Sequence, residues 1–250
     1  KFEFKKFLTT STSGNSGMKN DFLNNFKYLD KSKKEKFVSQ TFSNVAENYD
    51  LMNDIMSFGL HRSWKKKVVS LMDLNESSVV LDLASGSGDL ANLIKKKSNC
   101  SCIIYDANTK MLLKAKKKVN DGIYISGKAE NLPFRNNVFD YVTVGFGLRN
   151  FSDLNKSIIE IKRVLKKNGV LLCLEFSDIN SNFFRKLFHF YGKIIPKYAE
   201  LFFNKKLAYY YLIESIKQFP NQIELSKKLK KNKFNNIKVI DILDGLAAIH

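Results

Sequence analysis

The sequence predicts an α/β fold, a mostly parallel sheet covered by helices on both faces. Three observations predict it. Strand-length apolar runs alternate with amphipathic runs of helical length, the first of those strands enters a glycine-rich turn, and the next strand ends on an acid. Residues 34–75 read as helical, with breaks near Asn53 and Gly59. Val79–Ala84 is an apolar strand, followed by a helix over Asp89–Lys97. Cys102–Asp106 is a strand, Thr109–Val119 a helix and Ile123–Ser126 a strand. Val138–Phe146 is a strand, Leu154–Lys166 a helix and Val170–Phe176 a strand. Residues 181–217 break the rhythm with a long aromatic helical stretch. A helix over Gln222–Lys231, a strand over Ile237–Leu243, an Asp244-Gly245 turn and a last strand from near Leu246 complete the pattern. No internal repeat is present.

The domain organisation expected is a flexible or transit-like segment over residues 1–35 and a single domain over 36–250, with 181–217 an insertion. Residues 1–17 hold Lys1, Lys5 and Lys6 against one acid, Glu3, and continue with hydroxyl residues from Thr9 to Ser16. A basic, hydroxyl-rich and acid-poor segment suits an organelle transit peptide, and the absence of Arg counts against that reading. The competing reading is a disordered extension ahead of a start at Met18.

Composition excludes several classes. With 44% hydrophobic residues, 12 Gly and 3 Pro in 250 residues, the chain is neither disordered nor collagenous, and it is long enough to bury a core unaided. Its 42 Lys and Arg against 24 Asp and Glu give a net charge of +18. Such an excess suits an acidic partner. Yet only five of these cations are Arg, the better bidentate phosphate binder. Lysine triplets at 65–67, 95–97 and 116–118 lie in predicted helices, the last two near their C-termini, and the pair 166–167 closes another. Cations there complement the helix dipole, so much of the charge has a structural reading. Three cysteines, two of them one residue apart, form neither a disulfide framework nor a zinc pattern and fit a reducing compartment. No apolar run reaches the ~20 residues of a membrane span.

Chemistry concentrates first in Asp82-Leu83-Ala84-Ser85-Gly86-Ser87-Gly88-Asp89. Gly86 and Gly88 allow a ligand close to the backbone, and the following helix offers free N–H groups. Asp106 lies 18 residues beyond Gly88, near the ~20 expected of a carboxylate that grips ribose hydroxyls. The site therefore reads as a nucleoside site. No Gly-Lys-Ser/Thr follows, so a phosphate P-loop is disfavoured. Ala91 makes a loose dinucleotide fingerprint permissible, while the turn resembles more closely the S-adenosylmethionine loop of class I methyltransferases.

Four further blocks carry a family resemblance. Tyr49-Asp50-Leu51-Met52-Asn53-Asp54-Ile55-Met56-Ser57-Phe58-Gly59-Leu60-His61-Arg62-Ser63-Trp64 resembles a signature of the ubiquinone/menaquinone biosynthesis C-methyltransferase family. Arg163–Ser177, Gly145-Phe146-Gly147-Leu148-Arg149-Asn150 and Tyr211-Leu212-Ile213-Glu214-Ser215-Ile216 are similar to its other blocks, in the same order. The resemblance covers about residues 37–250. It implies a class I, Rossmann-like, seven-stranded sheet with an antiparallel last strand, an N-terminal helical cover and a helical insertion.

By the same resemblance, Gly86, Ser87 and Gly88 hold the methionine end of S-adenosyl-L-methionine and Asp106 the ribose. Lys128 and Ala129 border adenine, and Gly145 lies beside the cofactor. There are departures. Lys128 stands where an Asn or Asp is frequent, and an ammonium cannot accept from the adenine amino group. Gly145 replaces a frequent Ser, and Lys167-Asn168 a Pro-Gly. Asp82 is expected to fix the loop from below.

The implied reaction is methylation of a ring carbon on 2-methoxy-6-polyprenyl-1,4-benzoquinol. Its nearest rival is the same chemistry on demethylmenaquinone. The rival of another class is a membrane-bound scaffold of the quinone-synthesis assembly. Arg149, past the fourth strand, is the expected cation beside the developing phenolate; the competing reading is an ion pair with an acid on the N-terminal helices. Tyr49 is a second catalytic candidate, by facing the sulfonium or ordering a water, and Asn150 supports Arg149. His61 is read as capping or core as much as proton transfer, and Asn53 and Trp64 as packing.

Between 183 and 211 lie eleven of the chain's 32 aromatics, interleaved with Lys186, Lys193, Lys197, Lys205 and Lys206. This stretch reads as a lid over a polyprenyl tunnel at an anionic membrane surface. Expected partners are the quinol, that surface, other ubiquinone-biosynthesis proteins and a second copy in a homodimer, with no nucleic acid and no metal. The expected location is the matrix side of the mitochondrial inner membrane, with the bacterial cytoplasm as alternative.

Overall fold

A computed structural model describes Asp54, Ser57, residues 59–179, Ser181, Tyr211 and residues 214–250. The expectations for residues 1–35, for Tyr49, for most of the helical cover and for nearly all of the aromatic insertion lie outside the described residues.

The elements run α1 (His61–Ser70), β1 (Val79–Leu83), α2 (Asp89–Lys97), β2 (Ser101–Asp106), α3 (Thr109–Lys118), β3 (Ile123–Ser126) and β4 (Phe139–Gly145). A 3-10 turn (Leu148–Asn150), α4 (Leu154–Val164), β5 (Leu165–Phe176), α5 (Gln222–Lys231), β6 (Ile240–Ile242) and β7 (Ala247–Ile249) follow. They form one seven-stranded sheet in the order β3-β2-β1-β4-β5-β7-β6. β1 to β5 are mutually parallel, and β7 runs antiparallel between β5 and β6. The expected seven strands and antiparallel last strand are therefore present.

Local chemistry starts each helix. Asn108 caps α3 by accepting from the N–H groups of Lys110 and Met111, Asp153 caps α4 through Lys156, and Asn221 with Glu224 forms a reciprocal capping box on α5. Trp64, Val68, Leu90, Ile94, Leu112 and Ala115 pack α1, α2 and α3 on one sheet face. Ile158, Ile161, Val164, Leu225 and Leu229 pack α4 and α5 on the other. The continuous apolar strands are what a sheet buried on both faces requires. Cys100, Cys102 and Cys173 are free thiols buried in this core.

Three boundaries differ from the sequence reading. α4 ends at Val164 because Leu165 is already extended and pairs with Phe139. The next strand partners are Tyr141 and Val170, so residues 166–169 bulge out opposite Asp140. Lys166 and Lys167 thus do not close a helix; Lys166 Nζ lies 2.8 Å from both carboxylate oxygens of Asp140. β6 is shorter than Ile237–Leu243, because Lys233 and Asn236 have positive φ and turn the chain ahead of it. Leu243, Asp244 and Gly245, all at positive φ, make the expected turn into β7.

Candidate active site

The carboxyl ends of β1, β2, β4 and β5 meet along one edge of the sheet. β1 leaves through Ala84 at φ 53° and Gly86 at φ 56°, and α2 begins after Gly88 at φ 80°. A Cβ on Gly88 would stand 2.9 Å from that of Ala115, so α3 packs against the turn only because the residue is glycine. Asp82 lies beneath, fully buried, accepting from Thr143 Oγ1 at 2.9 Å and from the Ala91 N–H at 3.1 Å. Burial pushes its carboxyl up to about 7, against those two hydrogen bonds. It ties β4 to the first turn of α2, the helix into which the loop leads.

Asp106 ends β2. Its Oδ2 accepts the Gly86 N–H at 2.8 Å and its Oδ1 the Asn108 N–H at 2.7 Å. The carboxylate is thus aimed at the glycine turn with a lone pair left on each oxygen. Burial raises its pKa, while the two backbone donors oppose the rise. Ser85 Oγ is buried without a hydrogen-bond partner among the described residues. Ser87 is buried, and Lys118 Nζ donates to its hydroxyl at 3.3 Å. Lys118 and the buried Lys65 both pair with Asp89, at 2.5 and 2.6 Å. Burial would raise the Asp89 pKa, but the two ammonium groups hold it well below the usual range. Lys65, one of the triplet read as lying in a helix, is an internal cation that ties α1 to the end of the glycine turn.

On the far side of the turn, the Lys128 side chain is exposed and its carbonyl accepts from Tyr105 at 3.2 Å. Ala129 is buried. At Gly145 a Cβ would stand 2.8 Å from Leu90 Cδ1, so Leu90 fills the space that a serine would claim.

Phe146, at φ 58°, turns β4 toward Arg149. Arg149 is buried, and its acid is not on the N-terminal helices but on β5: Nη1 lies 2.7 Å from Glu175 Oε2. Nη1 also donates to the Phe146 carbonyl at 2.7 Å, to which Asn150 Nδ2 donates at 3.4 Å. Asn150 Oδ1 accepts the Tyr211 hydroxyl at 2.6 Å. The Phe146 and Phe176 rings are 4.6 Å apart, and Trp64 packs on both, at 6.2 and 6.4 Å. All four signature blocks thus send a residue to one cluster: Trp64, Arg149, Glu175 and Tyr211. A Cβ on Gly147 would stand 2.7 Å from that of Ala84, so the cluster abuts the start of the glycine turn.

Glu175 had been read only as part of a block. Its partner is 26 residues away, and the one signal available was an acid ending an apolar strand. His61 is buried with Nε2 2.8 Å from Asp54 Oδ1. Among the described residues no cluster of His, Cys, Asp and Glu could hold a metal ion.

A left-handed cradle, an unpartnered buried hydroxyl on Ser85 and a preset carboxylate on Asp106 fit a nucleoside bearing a small charged tail. Solved structures agree at the level of the fold. A possible histamine N-methyltransferase of Thermotoga maritima superposes with a TM-score of 0.63 at 18% identity, covering 85% of this chain and 97% of that one. Phosphoethanolamine N-methyltransferase 2 of Haemonchus contortus, solved with S-adenosyl-L-methionine, gives 0.53 at 20% identity over 72% of this chain and 38% of that one. Fold and site define a class I S-adenosylmethionine-dependent methyltransferase.

Curated relatives from Rickettsia felis and Rickettsia prowazekii are 44% and 42% identical over 90% of this chain and 95% of theirs. Both are called ubiquinone/menaquinone biosynthesis C-methyltransferase UbiE. The model of the ubiE/COQ5 methyltransferase family matches residues 29–250, and the chain belongs to that family.

Proposed function

We propose that the chain methylates a ring carbon of 2-methoxy-6-polyprenyl-1,4-benzoquinol in ubiquinone biosynthesis. The observation that carries this reading is Arg149, a buried cation on the carboxyl edge of the sheet, in a cluster that abuts the glycine turn.

When bound, S-adenosylmethionine supplies a methyl group on a sulfonium, an electrophile open to a carbon nucleophile. Gly86, Ser87 and Gly88 receive its amino-acid end, Asp106 accepts from the ribose hydroxyls, and Ala129, Lys128 and Gly145 border the remainder. The Arg149 guanidinium stabilises the quinolate oxygen, whose charge makes the neighbouring ring carbon nucleophilic. Its fixed position means that little reorganisation is needed as charge develops. Asn150 and Tyr211 brace it. The hydroxyl proton leaves to water, and loss of the ring proton after carbon–carbon bond formation restores the aromatic ring. Tyr49 contributes from the N-terminal signature.

The polyprenyl acceptor is a lipid, so the enzyme works peripherally at an anionic membrane. We assign the mitochondrial inner membrane; the rickettsial relatives make a bacterial membrane the second reading. Among the described residues no helix is long and apolar enough to cross a bilayer. Association with other quinone-synthesis proteins and with a second copy belongs to the same reading.

Demethylmenaquinol is the second acceptor, favoured by the relatives' double name. Incubation with methyl-labelled S-adenosylmethionine and each demethylated quinol separates the readings. Label in the benzoquinol is the expected result. Label in the naphthoquinol alone selects the second reading, and label in neither leaves a scaffold.

A further inference from the structure

Glu175 is a buried acid that the proposed chemistry does not use directly. It is the penultimate residue of β5, with a side chain only 2% exposed against 4% for Arg149. Oε2 accepts from Arg149 Nη1 at 2.7 Å and from the Phe176 N–H at 3.2 Å, and Oε1 accepts from the Arg149 N–H at 3.3 Å. All three donors face a carboxylate, and two belong to Arg149. The Phe146 and Phe176 rings lie 5.9 and 5.5 Å from the guanidinium carbon. Arg149 Nε is buried with no hydrogen-bond partner among the described residues.

A buried ion pair recovers its desolvation cost only in part, and well-packed apolar residues commonly replace one without loss of stability. Here the unpartnered Nε adds to the cost. Stability alone therefore gives no reason for the pair, whereas holding a cation at the carboxyl edge does.

The geometry points to Glu175 as the positioning residue of Arg149, one that also sets how much of its positive charge an acceptor hydroxyl feels. The inference rests on the acceptor reading above. With Glu175 ionised the pair is nearly neutral at a distance, so the guanidinium acts only on an oxygen close to it. Without that carboxylate the same oxygen meets an uncompensated cation and ionises at lower pH. Among the described residues the other titratable groups near Glu175 are Tyr211 and Cys173; burial raises the pKa of both, and the tyrosine and thiol stay neutral. Burial raises the pKa of Glu175 itself, and the Arg149 guanidinium with the Arg149 and Phe176 N–H groups opposes the rise and favours the carboxylate.

The test compares wild type with Glu175→Gln in two measurements. One is the pH dependence of methyl transfer. The other is the pKa of protein-bound 2-methoxy-4-nitrophenol, read by phenolate absorbance with S-adenosylhomocysteine present. The ascending limb of the rate profile and the bound pKa should both fall by about one pH unit in Glu175→Gln. If wild type turns over and neither quantity moves, the pair is only structural and the inference is overturned, while the acceptor reading stands. A wild type that methylates neither quinol overturns both. Should Glu175→Gln fail to fold, Glu175→Asp keeps the charge one methylene short. Its rate profile should hold its position while kcat falls by about tenfold or more. Wild-type kcat in Glu175→Asp would overturn the positioning role.

Discussion

Lys65 Nζ lies 2.6 Å from Asp89 Oδ2, and this contact joins α1 to the head of α2 at the point where the glycine turn ends. Lys118 holds the other oxygen. The two lysines are unequal, because Lys65 is buried and Lys118 only partly so. Lys65→Met leaves Asp89 paired with Lys118 and should cost about 1 kcal/mol. Asp89→Ala leaves a buried ammonium uncompensated and should cost about 3–5 kcal/mol. Urea unfolding of the two variants checks the order; equal losses would mean that Lys65 is solvated.

Asp82 makes stability depend on pH. Its folded pKa of about 7 stands above the unfolded 3.8, so the folded state holds the proton more tightly. Its contribution is complete below the unfolded value and is lost as pH rises toward the folded one. Asp82→Asn can accept from Ala91 and donate to Thr143 without ionising. Wild type should therefore lose stability relative to Asp82→Asn, by roughly a kcal/mol per pH unit, between about pH 4 and 7. Above that window the difference should be constant. Denaturation at pH 5, 7 and 9 reads it.

Gly88 offers a steric test of the cofactor turn. Alanine at φ 80° would be strained, and its Cβ would come within 2.9 Å of Ala115 Cβ and 3.2 Å of the Ala115 backbone. Gly88→Ala should destabilise by about 1–3 kcal/mol and weaken S-adenosylmethionine binding in calorimetry. Unaltered affinity would separate the turn from the cofactor.

Arg149→Ala should retain cofactor affinity while methyl transfer collapses, since Arg149 acts on the acceptor side. Near-normal turnover would remove it from the chemistry.

Tyr211→Phe deletes the 2.6 Å hydrogen bond to Asn150 and leaves a partly buried amide oxygen without that donor. A loss of about 1 kcal/mol is expected, with lower kcat and unchanged cofactor affinity. Thermal unfolding and initial rates together report it.

The sheet and the cofactor turn were legible because they are written locally. Continuous apolar strands, the Asp82–Asp89 run and Asp106 at a fixed spacing each state their structure within about 20 residues. Charge was less legible. Lys65, Lys118 and Lys166 look alike in sequence, yet their acids lie 24, 29 and 26 residues away, and only the fold decides which lysine meets one. Glu175 was obscured for the same reason. The bulge at 166–169 escaped because helical and extended preferences compete there, and pairing of Leu165 with Phe139 resolved them.

All three cysteines are buried, with 0–1% exposure, and burial raises the pKa of each thiol. The folded protein therefore presents no reactive native thiol. A single cysteine introduced on an exposed helix position would be the one site that a maleimide dye or spin label reaches. Distances across this enzyme can thus be measured during turnover with its natural cysteines left in place.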